Sequence, residues 1–275
     1  MNRILFFIAA ILFMIQGESS SQDISVIYKT VDTTELSLDI FYPPDYKAGN
    51  AFPAMVFFFG GGWKGGSVEQ FQPHAIYFAK RGIVCFLSDY RVSSRQGTTP
   101  FESLKDAKSA IRYIRKNAGK FKIDPDRIIA SGGSAGGHLA AATAIVDGFN
   151  EKSEDTSISC VPNALVLFNP VIDNGPGGYG YERIGESYKD FSPLHNIHNG
   201  APPTIFFLGT EDKLIPVATA EYYKTVMEKV GSRCELYLYE GQEHGFFNYS
   251  KEENYFDTVR KADDFLRSLG YLEVD

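Results

Sequence analysis

Along this chain, apolar residues fall in two rhythms that alternate from end to end. Residues 54–59, 83–88, 128–130, 164–168 and 204–208 are short, nearly unbroken apolar runs. Such runs mark strands buried on both faces of a sheet. Residues 234–239 make a further strand. Near the start, residues 24–28 and 36–42 alternate polar and apolar around Asp32-Thr33-Thr34, so they predict an antiparallel hairpin. Pro43-Pro44-Asp45 ends it. The second rhythm is helical. Residues 101–117 place Leu104, Ala107, Ile111 and Ile114 on one face, with lysines and arginines on the other. Residues 71–81, 217–230 and 252–269 read as helices too, and from His138 a run of small and aliphatic residues predicts a buried one. Residues 173–200 break the pattern, being irregular and rich in Gly, Tyr and Pro. Strands alternating with helices predict one α/β domain, with a mostly parallel sheet covered on both faces and ligands at the carboxyl ends of the strands. No internal repeat or second domain is visible.

Composition narrows the class. At 275 residues, 44% apolar and 22% charged, the chain reads as an ordinary globular protein. A formal charge of −7 without a basic stripe excludes a nucleic-acid partner. The first residues differ from the rest: Arg3 precedes an apolar run at 4–15, then polar residues at 16–22. That order predicts a signal peptide over 1–21, cut between Gly17 and Ser21, a secreted or periplasmic protein, and a mature domain of 22–275. The apolar run is too short to span a bilayer comfortably, and a retained anchor is the alternative. Cys85, Cys160 and Cys234 are too few for a disulfide framework. Cys85 and Cys234 read as buried thiols, and a bridge from Cys160 is left open.

The candidate chemistry starts at Gly132-Gly133-Ser134-Ala135-Gly136. This Gly-x-Ser-x-Gly pattern lies between a predicted strand and a predicted helix. A serine at such a turn presents its hydroxyl clear of the sheet, and flanking glycines let strand and helix close up. Asp212 and His244 likewise follow predicted strands, giving the chain order Ser, Asp, His. A serine hydroxyl becomes a competent nucleophile when an imidazole removes its proton and a carboxylate orients that imidazole. Two alternatives stand beside this reading: Asp212 as the cap of the next helix, and Glu211 as the acid. Among the other histidines, His74 lies on a helix, His195 and His198 lie in the irregular segment, and His138 is placed for packing. Gly60-Gly61-Gly62-Trp63 offers backbone amides that a tetrahedral oxyanion needs. The loop lacks the Gly-Lys-Ser/Thr ending of a phosphate loop. No Gly-x-Gly-x-x-Gly turn with a suitable acidic residue and no His-Glu-x-x-His spacing is found, so neither cofactor nor metal is indicated.

With Asp89-Tyr90-Arg91, Asp124-Pro125-Asp126-Arg127, Gly209–Asp212 and Glu243-His244-Gly245, the chain resembles α/β-hydrolase esterases and lipases related to hormone-sensitive lipase and the bacterial carbohydrate esterases. The resemblance covers roughly residues 24–270. It implies an α/β-hydrolase fold, a triad of Ser134, Asp212 and His244, and an oxyanion hole from the amides of Gly61, Gly62 and Ala135. One departure is that Phe59 stands where the family usually has histidine before the glycines.

Little sequence precedes the glycine loop beyond the hairpin, so little or no cap domain is expected. The candidate cover is the segment 173–181. An open cleft with Trp63, Tyr179 and Tyr181 as stacking surfaces suits a sugar. This favours removal of acetyl groups from polysaccharide or oligosaccharide, as in the acetylxylan-esterase-like members that the chain resembles. The alternatives are a general short-chain carboxylesterase acting on small esters, a feruloyl-type esterase, a serine peptidase, and a non-catalytic binding module on the same fold.

Overall fold

The computed structural model describes residues 24–46 and 51–273. The expected leader at 1–21 lies outside them. Eight strands form one sheet: β1 (Ile24–Val31), β2 (Thr34–Phe41), β3 (Phe52–Phe58), β4 (Val84–Ser88), β5 (Ile123–Gly133), β6 (Ala164–Phe168), β7 (Thr204–Gly209) and β8 (Cys234–Tyr239). Their spatial order is β1-β2-β4-β3-β5-β6-β7-β8. The β1–β2 and β2–β4 pairs are antiparallel, and every later pairing is parallel. The longer helices are α1 (Gln72–Lys80), α2 (Pro100–Lys116), α3 (Ala135–Ile145), α4 (Val217–Lys229) and α5 (Glu252–Ser268). This is an α/β-hydrolase arrangement, as the sequence leads one to expect.

The unbroken apolar strands are explained by the two cores. Ala54, Val56 and Phe58 of β3 enter one, with Leu104, Ile111, Leu139 and Tyr223 from α2, α3 and α4. Met55 and Phe57 enter the other, with Phe78 from α1 and Val259 and Phe265 from α5. A strand covered on both sides has no solvent face, so it carries no polar alternation. Helix α2 begins with a capping box, Thr99 and Glu102 each holding the other's backbone, with Pro100 at its first position.

The hairpin docks through buried charge. Lys29 Nζ lies 2.6 Å from an Asp106 carboxylate oxygen, and Arg91 Nη2 lies 2.8 Å from the same oxygen. Asp106 is fully buried. Such a cluster survives burial because every charge has a partner. Lys29 thus joins β1 to α2, and Arg91 of the Asp-Tyr-Arg motif ties the segment after β4 to the same carboxylate.

Two expectations are corrected, and the question left open at Cys160 is answered. Strand β5 starts at Ile123, ahead of the apolar run, because the polar Asp124–Arg127 stretch still follows β3 through a register shift between Phe52 and Ala54. The irregular 173–200 segment contains short helical turns at Tyr181–Ile184, Tyr188–Phe191 and Pro193–Asn196, pinned by buried Ile184 and Phe191. Cys160 is a free, buried thiol like Cys85 and Cys234. Among the described residues, no helix is long and apolar enough to cross a membrane.

Candidate active site

The serine sits at the junction of β5 and α3. Its backbone has φ 54 and ψ −120, a sparsely populated conformation that costs an L-residue about 1–3 kcal/mol. The strain is held in place from both sides of the peptide. Ser134 N–H donates to the Phe168 carbonyl at 3.0 Å, while its own carbonyl accepts from His138 and Val171 at 3.0 and 3.1 Å. The flanking glycines are required by contact. A Cβ on Gly136 would lie 2.0 Å from the Phe58 carbonyl oxygen, and one on Gly132 would lie 2.4 Å from Gly136. The start of α3 also places unpaired amides and its positive end beside the hydroxyl.

His244 joins the other two residues. Its Nε2 lies 2.9 Å from Ser134 Oγ, and its Nδ1 lies 2.7 Å from Asp212 Oδ2. Asp212 follows β7. Its side chain is fully buried, whereas the imidazole keeps a quarter of its surface exposed. The second carboxylate oxygen accepts the amides of Leu214 and Ile215 at 2.8 and 3.0 Å. That grip leaves Oδ2 to accept from His244 Nδ1–H, and the tautomer so fixed presents Nε2 as acceptor to the serine hydroxyl. Glu211 is exposed on the same turn; the carboxylate that reaches His244 is that of Asp212. The helix-cap alternative also fails, because the first residues of α4 are preceded by Pro216 with no side-chain cap.

The glycine loop lies against the serine, since a Cβ on Gly60 would sit 3.4 Å from Ser134 Cβ. The Gly61 carbonyl accepts from Lys64 and Gly65 at 3.0 and 3.3 Å, which fixes the peptide carrying the Gly62 amide. Gly61 and Gly62 have φ 126 and 65, conformations open to glycine. Trp63 follows with φ 57, a second strained non-glycine residue. The arrangement can therefore support acyl transfer: a hydroxyl, an imidazole and a buried carboxylate stand in one hydrogen-bonded line, with the glycine loop beside the hydroxyl.

Family models match in two consecutive stretches: BD-FAE over residues 38–174 and the dienelactone hydrolase family over 177–273. Thermogutta terrifontis esterase 2 in its apo form shares 44% identity, covering 93% of this chain and 98% of its own, with a TM-score of 0.89. The chain belongs to the esterases of the α/β-hydrolase fold. Structures of that Thermogutta esterase include complexes with propionate and butyrate and a form phosphorylated by paraoxon. A probable isoprenylcysteine alpha-carbonyl methylesterase of Arabidopsis thaliana is 27% identical over 80% of this chain and 50% of its own length. An acetylxylan esterase of Xylanibacter ruminicola is 28% identical over 61% of this chain and 35% of its own. The chain spans about half the length of the curated relatives it matches first.

Against the family's usual histidine, Phe59 has a specific place here. Its ring stacks on Tyr90 at 4.1 Å, and the Tyr90 hydroxyl donates to the Phe59 carbonyl at 2.6 Å. The aromatic pair anchors the strand end that leads into the glycine loop. The stacking surfaces expected for a sugar fare differently. Trp63 is 1% exposed, sealed by His138, Tyr179 and Phe191, so its ring is not available to a ligand. Tyr181 packs against Tyr188 and donates to Glu186 within its own segment. Tyr179 alone of the three stays beside the glycine loop, half-buried, with its hydroxyl 2.5 Å from where a Gly62 Cβ would be. His138 packs as expected, and burial pushes its imidazole down to about 3.

Three supporting residues were not singled out from sequence. Asn169 Oδ1 accepts from the amide of Gly245, next to His244, at 2.9 Å. Gln70 accepts from the Gly60 amide at 2.6 Å and donates to Asn248 at 2.9 Å, bracing the glycine loop against the histidine loop. Arg183 donates to the Gly62 carbonyl. Asn169 carries a signal, following a strand end, but the partners of Gln70 and Arg183 lie 178 and 121 residues away.

Proposed function

We propose that this protein is a serine carboxylesterase for short acyl esters, working through an acyl-enzyme on Ser134. The observation that carries the reading is the placement of His244 between Ser134 Oγ and the buried Asp212 carboxylate. Ser134 Oγ attacks the ester carbonyl as His244 Nε2 takes its proton. Asp212 stabilises the imidazolium formed. The carbonyl oxygen becomes an oxyanion, held by the amides of Gly61, Gly62 and Ala135. Collapse breaks the bond to the alcohol, which leaves with the proton returned by His244. Water, deprotonated by the same imidazole, then attacks the acyl-serine, and the acid departs as Ser134 regains its proton.

Propionate and butyrate in the Thermogutta esterase structures favour short acyl groups. Paraoxon phosphorylates that protein, and the same reagent should modify Ser134 here. The resemblance to an acetylxylan esterase keeps acetylated glycan as the second reading. It has lost the Trp63 and Tyr181 faces as support and rests on Tyr179. Export by the 1–21 leader would deliver the enzyme to esters outside the cytoplasm.

The test compares the protein with Ser134→Ala on aryl acetate, propionate and butyrate, and on acetylated xylan. Aryl-ester turnover should fall about 10⁴-fold or more in the variant. Ser134-dependent acetate release from xylan at a comparable rate would establish the glycan reading instead. Turnover indifferent to Ser134→Ala would overturn both.

A further inference from the structure

The peptide joining Gly62 to Trp63 is held from a distant part of the chain. Its carbonyl accepts a hydrogen bond from Arg183 Nη1, on the short turn Tyr181–Ile184. The guanidinium lies 5.2 Å from the Trp63 ring and 5.4 Å from the Tyr179 ring, and its Nε donates to Glu182 at 3.0 Å. A guanidinium so stacked has few orientations open to it, so its fork is directed at the carbonyl.

This peptide has a reason to turn over. Trp63 is an L-residue at φ 57, and rotating the Gly62–Trp63 peptide plane by half a turn would bring it to the negative φ that L-residues prefer. The rotation would swing the Gly62 carbonyl away from Arg183 and point the Trp63 N–H at a cation that can only donate. Arg183 thus opposes the relaxation the backbone favours.

We propose that Arg183 is a positioning residue for the oxyanion loop: it holds the Gly62–Trp63 peptide and, together with the Lys64 and Gly65 amides on the Gly61 carbonyl, keeps the tight turn that carries the Gly62 amide in the form that aims it at the developing charge. This role rests on the esterase reading above. It makes the segment 173–200 a working part of the site and not merely its cover. A substrate carbonyl is bound weakly by such donors in the ground state and strongly in the transition state. Loss of the lock therefore falls on kcat and leaves KM little changed.

The experiment measures aryl acetate hydrolysis by the wild type, Ser134→Ala, Arg183→Ala and Arg183→Lys, with and without added methylguanidinium at non-denaturing concentration and with sodium chloride as ionic control. A charge-assisted hydrogen bond sets the expected loss in Arg183→Ala at about tenfold to hundredfold in kcat. Methylguanidinium should restore part of it and sodium chloride none. Arg183→Lys, a point charge without the planar fork, should stay well below wild type. Trp63 is the single tryptophan, so its emission should change in Arg183→Ala and return with methylguanidinium. An Arg183→Ala kcat equal to wild type overturns the positioning role alone. So does a loss that methylguanidinium leaves untouched while thermal stability falls in parallel. Absence of Ser134-dependent turnover in the wild type overturns the esterase reading, and the role with it.

Discussion

Gly136→Ala separates local preference from tertiary contact because the two act with opposite sign. Gly136 lies in α3, where replacing glycine by alanine alone would stabilise by about 1 kcal/mol. In this fold the new Cβ would stand 2.0 Å from the Phe58 carbonyl oxygen and 2.3 Å from that of Phe59. Both obstacles are backbone of the strand leading into the glycine loop. Helix and strand would have to part by about 1 Å, and overpacking of this kind costs about 1–3 kcal/mol, at times more. With two backbone obstacles the cost falls at the upper end of that range, so the contact should win, lowering stability by about 2 kcal/mol net and the melting temperature by roughly 4–8 °C. Activity should fall further than stability, since the displaced strand leads into the glycine loop proposed to supply the amide donors. Gly119→Ala is the matched control. Gly119 is also helical, and a Cβ there meets nothing within 4 Å, so it should stabilise by about 0.4–1 kcal/mol with kcat unchanged. Thermal unfolding and aryl acetate turnover of the two variants decide the matter. A Gly136→Ala protein as stable and active as wild type would refute the reasoning.

Asp212→Asn keeps an acceptor for the amides of Leu214 and Ile215 but no longer fixes the His244 tautomer. It should lower kcat by about 10⁴-fold, with a melting temperature near wild type; a loss under tenfold would contradict the assigned role. Acid stability provides another test. Burial pushes both His74 and His138 down to about 3, whereas in the unfolded chain each titrates near 6.5. Between those values the unfolded state binds the extra protons, so stability is full above pH ~6.5 and declines as pH falls towards 3. The slope should reach up to about 1.4 kcal/mol per pH unit for each histidine. Urea midpoints measured from pH 7.5 to 5 should show it, and His74→Phe should remove about one proton's worth; an unchanged slope would count against the buried neutral state.

Much of this was legible in the chain because it is written locally. Strands β3, β4, β6 and β7 read true because burial on both faces leaves no polar position to blur the run. Ser134, Asp212 and His244 were visible because each follows a strand end in a fixed order. The errors came from contacts the chain makes with itself over long distances. Trp63, in a glycine-rich loop, reads as exposed. It is sealed by Phe191, and no local pattern announces that a residue so far along will cover it. Arg183 reads as one surface charge among many in an irregular segment, and its meaning appears only when the fold brings it to the Gly62 carbonyl. Strand β5 begins early for a similar reason, since its polar entry is set by pairing with β3.

The central claim is that Ser134 is a nucleophile activated by His244. Its most direct test is treatment with paraoxon, followed by intact mass, peptide mapping and residual aryl acetate turnover, with His244→Ala in parallel. The expected result is one phosphoryl group per chain, mapped to Ser134, with activity lost in proportion to labelling and the variant labelled far more slowly. Labelling at another residue, or full turnover by a chain phosphorylated at Ser134, would contradict it.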